Sequence, residues 1–330
     1  MSFDFQAHVC PQEYVDVLAK LTSFPRARYK SGKLVLQYGR AFAEQRHLTI
    51  AKLQDFGRRV DLMDKIGIKA EVLSSAIPAA IAGTPNQSVS LARMINNHIA
   101  EAVKEFEGRY YGFASLPLLD VRASMKELER AISDLHFSGV SINSNVNGEQ
   151  IDSRRYWKIY EKIEELGSSL YIHPNTPYLA REGVLCDYQL WGPAFGYTFD
   201  SALAILRFIN SGLMEEYPKI RVMIGHLGEC LPYIMDRIDW AFKRFPEVAK
   251  RLTKPPHEYL KMMYVDTAGI FTPASLECAA KLLDGDKIVF ASDYPFEDME
   301  SSVNYIKDST LSSSQKEAIF VENGKKFLGI

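Results

Sequence analysis

Four residues able to bind a divalent cation or carry a proton stand at the ends of four separate apolar runs. His8 closes Phe3-Asp4-Phe5-Gln6-Ala7-His8, and His173 ends Ser169-Leu170-Tyr171-Ile172-His173. His226 follows Arg221-Val222-Met223-Ile224-Gly225, and Asp293 follows Lys287-Ile288-Val289-Phe290-Ala291-Ser292. Imidazole and carboxylate suit zinc, and with water or substrate oxygens they also suit manganese. The residue two before His8 is Gln6, on the same face of an extended run because strand side chains repeat every two residues. A carboxamide is neutral and offers only a carbonyl oxygen. Gln6 is therefore a weak ligand, a donor behind the ligands, or a sign that the metal has been lost.

A second constellation is Gly225-His226-Leu227-Gly228-Glu229. His226 titrates near neutrality, and Glu229 is placed to orient its proton or to meet a substrate hydroxyl; a purely structural His-Glu pair is the alternative. Arg237, on the helical stretch 231–242, either binds a carboxylate or forms an internal salt bridge. Trp191 and Phe195, with Tyr197 and Phe199, line an aromatic pocket or simply pack. Tyr294 and Phe296, just beyond Asp293, could shape the same pocket. His47, His98, His136 and His257 read as ordinary structural or surface residues, and Arg40, Arg58 and Arg59 as a solvated face. No phosphate-loop or dinucleotide fingerprint occurs, so no nucleotide or organic cofactor is expected.

Positioning such residues requires a frame that brings many strand ends together. Eight short apolar runs, at 3–8, 70–74, 112–116, 139–143, 169–173, 221–225, 262–266 and 287–291, are rich in Val, Ile, Phe and Tyr, as buried parallel strands are. Amphipathic stretches at 88–106, 125–135 and 200–209 lie between them, the last opening on Asp200 as a cap. Alternation on this scale is α/β and favours a distorted (β/α)8 TIM barrel, in which functional groups gather at the C-terminal strand ends. The chain of 330 residues, 47% apolar, is long enough to bury one such domain over 1–330. Segments 24–59 and 174–199 exceed ordinary barrel connections and are expected to cover the mouth with small helices of their own.

The balance of 39 basic and 41 acidic residues leaves a formal charge of −2, so neither nucleic acid nor a membrane surface is expected as a partner. The four cysteines are widely spaced without a CxxC and read as reduced thiols. The start lacks a basic segment followed by an apolar run, and no stretch reaches the roughly 20 apolar residues of a membrane span. A cytoplasmic protein is the expectation.

Together, Tyr171-Ile172-His173-Pro174, Gly225-His226-Leu227-Gly228-Glu229, Ser292-Asp293-Tyr294-Pro295-Phe296-Glu297 and the approach Gly212-Leu213-Met214-Glu215-Glu216-Tyr217-Pro218 resemble the amidohydrolase superfamily over nearly the whole chain. The closest likeness is to its aromatic-acid decarboxylase branch, which acts on dihydroxybenzoates, carboxyvanillate and aminocarboxymuconate semialdehyde. The resemblance implies one divalent metal, zinc or manganese, held by His8, His173 and Asp293, with Gln6 where the family carries His or Glu. It also implies a homodimer or homotetramer and a small carboxylic-acid substrate. His226 and Glu229 match the family's active-site pair, Arg237 an arginine that follows it, and Asp293 the proton donor to the carboxyl-bearing carbon. Metal-dependent hydrolysis of a lactone or related carbonyl compound is the second reading, hydration of an unsaturated dicarboxylate a third. A barrel that binds a small acid without turnover is the non-enzymatic one.

Overall fold

Each of the eight apolar runs forms a parallel strand of one sheet: β1 (Phe3–Val9), β2 (Ala70–Ser75), β3 (Tyr110–Ser115), β4 (Gly139–Asn143), β5 (Ser169–His173), β6 (Arg221–Ile224), β7 (Tyr264–Asp266) and β8 (Ile288–Val289). The structure, a computed structural model, describes residues 2–30, 33–45, 55–75, 78–245, 247, 250–283 and 285–330. Strands neighbour one another in chain order, and β1 returns to β8 through Phe5 N–H to Phe290 C=O at 2.9 Å and a parallel bridge between Ala7 and Tyr294. The sheet is thus a nearly closed barrel, as parallel strands with helical crossovers require.

Strand alternation divides the core in two. Phe3, Phe5, Val72, Phe113, Tyr171, Met223, Tyr264 and Val289 fill the barrel interior. Leu73, Val140, Leu170, Ile172, Val222, Ile224 and Val265 point outward, beneath helix residues such as Leu91, Ile95, Leu128, Ile163 and Ile205. The C-terminal helix Asn323–Leu328 closes the far end: Phe327 enters the inner core, and its carbonyl accepts from Ser169 Oγ at 2.6 Å and Arg221 Nε at 2.7 Å. Both donors start their strands, so this seal lies at the N-terminal face and the C-terminal face holds the mouth.

Helix ends follow local rules. The helix Pro85–Glu105 begins with Pro after Thr84, whose hydroxyl pairs with Gln87 in a capping box. Asp120 caps Val121–Ser133 through the Ala123 N–H. Asp200 is no cap: its helix starts earlier, at Gly196, and the buried carboxylate accepts from Ser144 Oγ and, at 2.7 Å, Asn145 Nδ2. Asn145 in turn bonds Asn175 and the Thr176 carbonyl, tying the loops after β4 and β5 together.

The two long insertions differ. Residues 26–45 form three antiparallel strands (Arg26–Lys30, Lys33–Tyr38, Ala41–Gln45), where small helices were expected. Leu34-Val35-Leu36-Gln37-Tyr38 is strand-forming, and Gly39, at φ 66°, permits the tight Gly39-Arg40 turn. Part of segment 24–59, including His47, lies outside the described residues. The second insertion does carry short helical turns, Tyr178–Arg181 and Asp187–Gln189. The insertions meet where the Tyr38 ring packs 6.1 Å from that of Trp191. No helix among the described residues is long and apolar enough to cross a membrane.

Candidate active site

Strand β1 breaks its alternation where the site begins. Asp4 pairs with Glu71 and Ala7 with Leu73, so Phe5 and Gln6 together oppose Val72. Two residues against one is a β-bulge, and it re-aims the strand. Phe5 and then Gln6 both face inward, Ala7 joins the outer core, and His8 faces inward again.

Four side chains converge there. The Gln6 Nε2 lies 3.0 Å from Asp293 Oδ1, 3.3 Å from His173 Nε2 and 3.4 Å from His8 Nε2. His8 Nε2 is also 2.9 Å from Asp293 Oδ1. His173 Nδ1 faces the Pro174 carbonyl at 2.8 Å. A carbonyl only accepts, so Nδ1 carries the proton and Nε2 presents a lone pair to the centre. Burial, reinforced by His8 and His226, holds His173 well below the usual imidazole range and therefore neutral. His8 is backed by Ser74 Oγ, 3.4 Å from its Nδ1. Asp293 keeps 19% of its side chain exposed and sits at φ 62°, a conformation uncommon for a residue with a Cβ.

The chemistry of this donor set fits a divalent cation: an imidazole lone pair, a second imidazole, a carboxylate oxygen and an amide whose carbonyl end can replace its nitrogen end by a half-turn. The spacing is that of hydrogen bonds around the Gln6 nitrogen. Among the described residues no three His, Cys, Asp or Glu side chains are spaced as metal ligands in this arrangement.

The second constellation sits on a turn in which His226 (φ 56°), Leu227 (53°), Gly228 (78°) and Glu229 (58°) are all left-handed. Three of the four carry a Cβ, so the turn stores strain that its surroundings must hold. His226 N–H donates to Asp266 Oδ1 at 2.9 Å, and His226 Nδ1 donates to Glu229 Oε1 at 2.9 Å. Burial alone would lower the His226 pKa, but Glu229, then Asp266 and Asp293, override it and raise the ring to about 9. His226 is thus an imidazolium at neutral pH. A Cβ on Gly269 would lie 2.9 Å from His226 Cδ2, so only glycine leaves room for this ring.

Of the aromatic candidates, Phe296 reaches the centre, with its ring 5.4 Å from His8. Trp191 is buried between Tyr38 and Tyr197, each at 6.1 Å. Phe195 is half exposed and stacks on Phe199. Tyr294 turns its ring under the Arg59 guanidinium, 4.7 Å away. Arg237 is exposed on the helix Leu231–Arg244, without an ionic partner among the described residues.

Two contributors were given no role in the sequence, and a third was misplaced. Tyr171 lies two residues before His173 on the same face, and its hydroxyl is 2.6 Å from Gln6 Oε1 and 2.9 Å from Asp266 Oδ2. Asp266 ends β7, the position that marked the other site residues. Arg59 is not on a solvated face: it is 1% exposed and its Nη1 donates to the His8 carbonyl at 3.0 Å. No local pattern signalled that burial. Of the remaining histidines, His98 packs 5.2 Å from Phe56 and His257 pairs with Asp239.

A family model for amidohydrolases matches residues 8–330. A gamma-resorcylate decarboxylase of Polaromonas sp. strain JS666 is 34% identical over 277 residues, 79% of this chain and 83% of that protein. A crystal structure of a dihydroxybenzoic acid decarboxylase from Polaromonas sp. JS666, with bound manganese and the inhibitor 2-nitroresorcinol, superposes with a TM-score of 0.83 at 26% identity, covering 99% of this chain and 96% of that one. A 2,6-dihydroxybenzoate decarboxylase from Rhizobium superposes with a TM-score of 0.83 at 25% identity, covering 99% and 98%. The chain belongs to the amidohydrolase superfamily, in its aromatic-acid decarboxylase branch.

Proposed function

We propose that this chain is a metal-dependent carbon-carbon lyase that removes CO2 from a small hydroxy-aromatic acid without oxidation. The observation that carries the reading is the convergence of His8, His173 and Asp293 at the barrel mouth, beside the imidazolium of His226. His8, His173, Asp293 and the Gln6 carbonyl would hold one divalent cation, manganese or zinc. A cation held there would supply positive charge to the oxygens of an acidic substrate.

The rest is done by side chains. Asp293 Oδ1 is engaged by His8 and Gln6, which leaves Oδ2 to carry a proton to the carboxyl-bearing carbon. The ring-to-carboxylate bond then breaks, its electron pair restores the aromatic ring, and CO2 leaves. Asp293, partly exposed, recovers its proton from solvent. His226 offers its second N–H to a substrate oxygen, and Glu229 keeps that ring charged. Phe296, its ring against that of His8, shields the site from bulk water. The half-exposed Phe195 and Phe199 on the covering segment suit contact with a second copy, and a homodimer or homotetramer is the assembly we expect, read by light scattering.

Turnover against a panel of hydroxybenzoates, with Mn2+ or Zn2+ and CO2 measured directly, tests the proposal. CO2 release lost in Asp293→Asn is the expected result. Hydrolysis products without CO2, or no CO2 from any acid, would overturn it.

A further inference from the structure

In one orientation every N–H and the oxygen of the Gln6 amide has a partner. Its two N–H groups face Asp293 Oδ1 and the His173 lone pair, both of which can only accept. His8 Nε2 donates to the same carboxylate, and Ser74 Oγ supplies its Nδ1. The amide oxygen accepts from the Tyr171 hydroxyl at 2.6 Å. An uncharged NH2 group thus stands at the point on which the candidate ligands converge.

Turning the amide by half a turn occupies the same volume and exchanges oxygen for nitrogen. Its oxygen would then face a carboxylate and a lone pair, an arrangement favourable only with a cation between them. Its nitrogen would face Tyr171, which must accept. Tyr171 has one proton, and its other neighbour is Asp266 Oδ2 at 2.9 Å. Asp266 is fully buried, and its Oδ1 already accepts from the His226 and Ala268 N–H groups. The second orientation therefore has its own complete set of partners.

We propose that the Gln6 carboxamide is a reversible stand-in for the cation. Its NH2 bridges Asp293 and His173 when no cation is bound, and its carbonyl oxygen becomes a ligand when one is. Tyr171 redirects its proton from Gln6 to Asp266 as the amide turns. This rests on the metal-dependent reading above and adds that the fourth donor is exchangeable. Loading the site also sets the hydrogen bond on Asp266, the residue that anchors the strained His226 turn.

Thermal unfolding in EDTA or Mn2+, with equilibrium dialysis of Mn2+, tests this on the full chain. In EDTA, Gln6→Met, which cannot donate, and Gln6→Glu, which adds a carboxylate beside Asp293, melt a few degrees below the wild type. Gln6→Glu binds Mn2+ at least about tenfold more tightly than the wild type, because a charged oxygen replaces a neutral one and no N–H bonds must be given up. Should Gln6→Glu fail to fold, crystals of the wild type grown with Mn2+ decide the point by showing the amide oxygen on the ion. If the wild type binds Mn2+ with Gln6 turned away, or if Gln6→Met melts like the wild type in EDTA and Gln6→Glu binds no tighter, the stand-in is overturned while the metal reading stands. If the wild type binds Mn2+ no better than His173→Ala, both fall.

Discussion

Two buried polar clusters share strand β1 and lie on opposite sides of the barrel wall. Inside are Gln6 and His8, with His173 and Asp293; outside are Asp4, with Glu71, Arg59 and Ser292. The outer cluster is sealed. Asp4 accepts from Ser292 through both its backbone N–H and its hydroxyl, and Arg59 lies 3.3 Å from Glu71 without the alignment of a hydrogen bond. Burial, with the neighbouring Glu71 carboxylate, pushes Asp4 up to about 8, and burial raises Glu71 against the pull of Arg59 and Arg109. The inner cluster opens on the mouth through Asp293. Similar residue types thus do different work: sealed charges fix the wall, and charges at the opening are free to meet a substrate.

If that division holds, substitutions of the inner charged groups act chiefly on chemistry and outer ones chiefly on stability. The largest effect is expected for Asp293→Asn, which removes the proton donor and lowers kcat by about 10³-fold or more while circular dichroism keeps its native form. A destabilised Asp293→Asn would instead make the inner cluster structural. Next, Arg59→Met leaves Glu71 buried without its cation and lowers unfolding free energy by about 3–5 kcal/mol in urea titration. No change there would mean that the outer charges are not held together.

Glu229→Gln removes the main cause of the raised His226 pKa. Wild-type kcat is expected to fall as pH rises through about 9; in the variant that limb moves to lower pH, and kcat at pH 8 drops by about 10–100-fold. A profile that does not move would sink the imidazolium role. The smallest effect is Asp4→Asn. The folded chain keeps the Asp4 proton up to about pH 8, whereas the unfolded chain releases it near its ordinary value of 3.8. Wild-type stability therefore falls as pH rises across that window, and the variant flattens the slope by about 2 kcal/mol, read from urea midpoints at pH 5 and 6.5.

Much of this was legible in the residues. All eight strands announce themselves as apolar runs, and His8, His173 and Asp293 are brought together because each ends one. Asp266 obeys the same rule and could have been named from it. The rest depends on contacts that no local pattern encodes. Arg59 sits beside Arg58 in a polar stretch, and only the packing of its helix against β1 and β2 reveals that it is buried. Phe195 and Trp191 are four residues apart in one aromatic-rich segment, yet one stacks outside and the other is enclosed. The sheet at 26–45, by contrast, had a local signal, since Arg26-Ala27-Arg28-Tyr29-Lys30 alternates charged and apolar residues with the period of a strand.

The bulge in β1 has a consequence for how such a centre can be altered. With Gln6 removed, Phe5 would point in, Ala7 out and His8 in, which is plain alternation. Gln6 is therefore an addition to the strand and no part of its reading frame. A one-residue deletion would leave every other inward and outward position of β1 where it is, erasing a single side chain from the centre. At this point the barrel wall and the identity of its most unusual donor can vary separately.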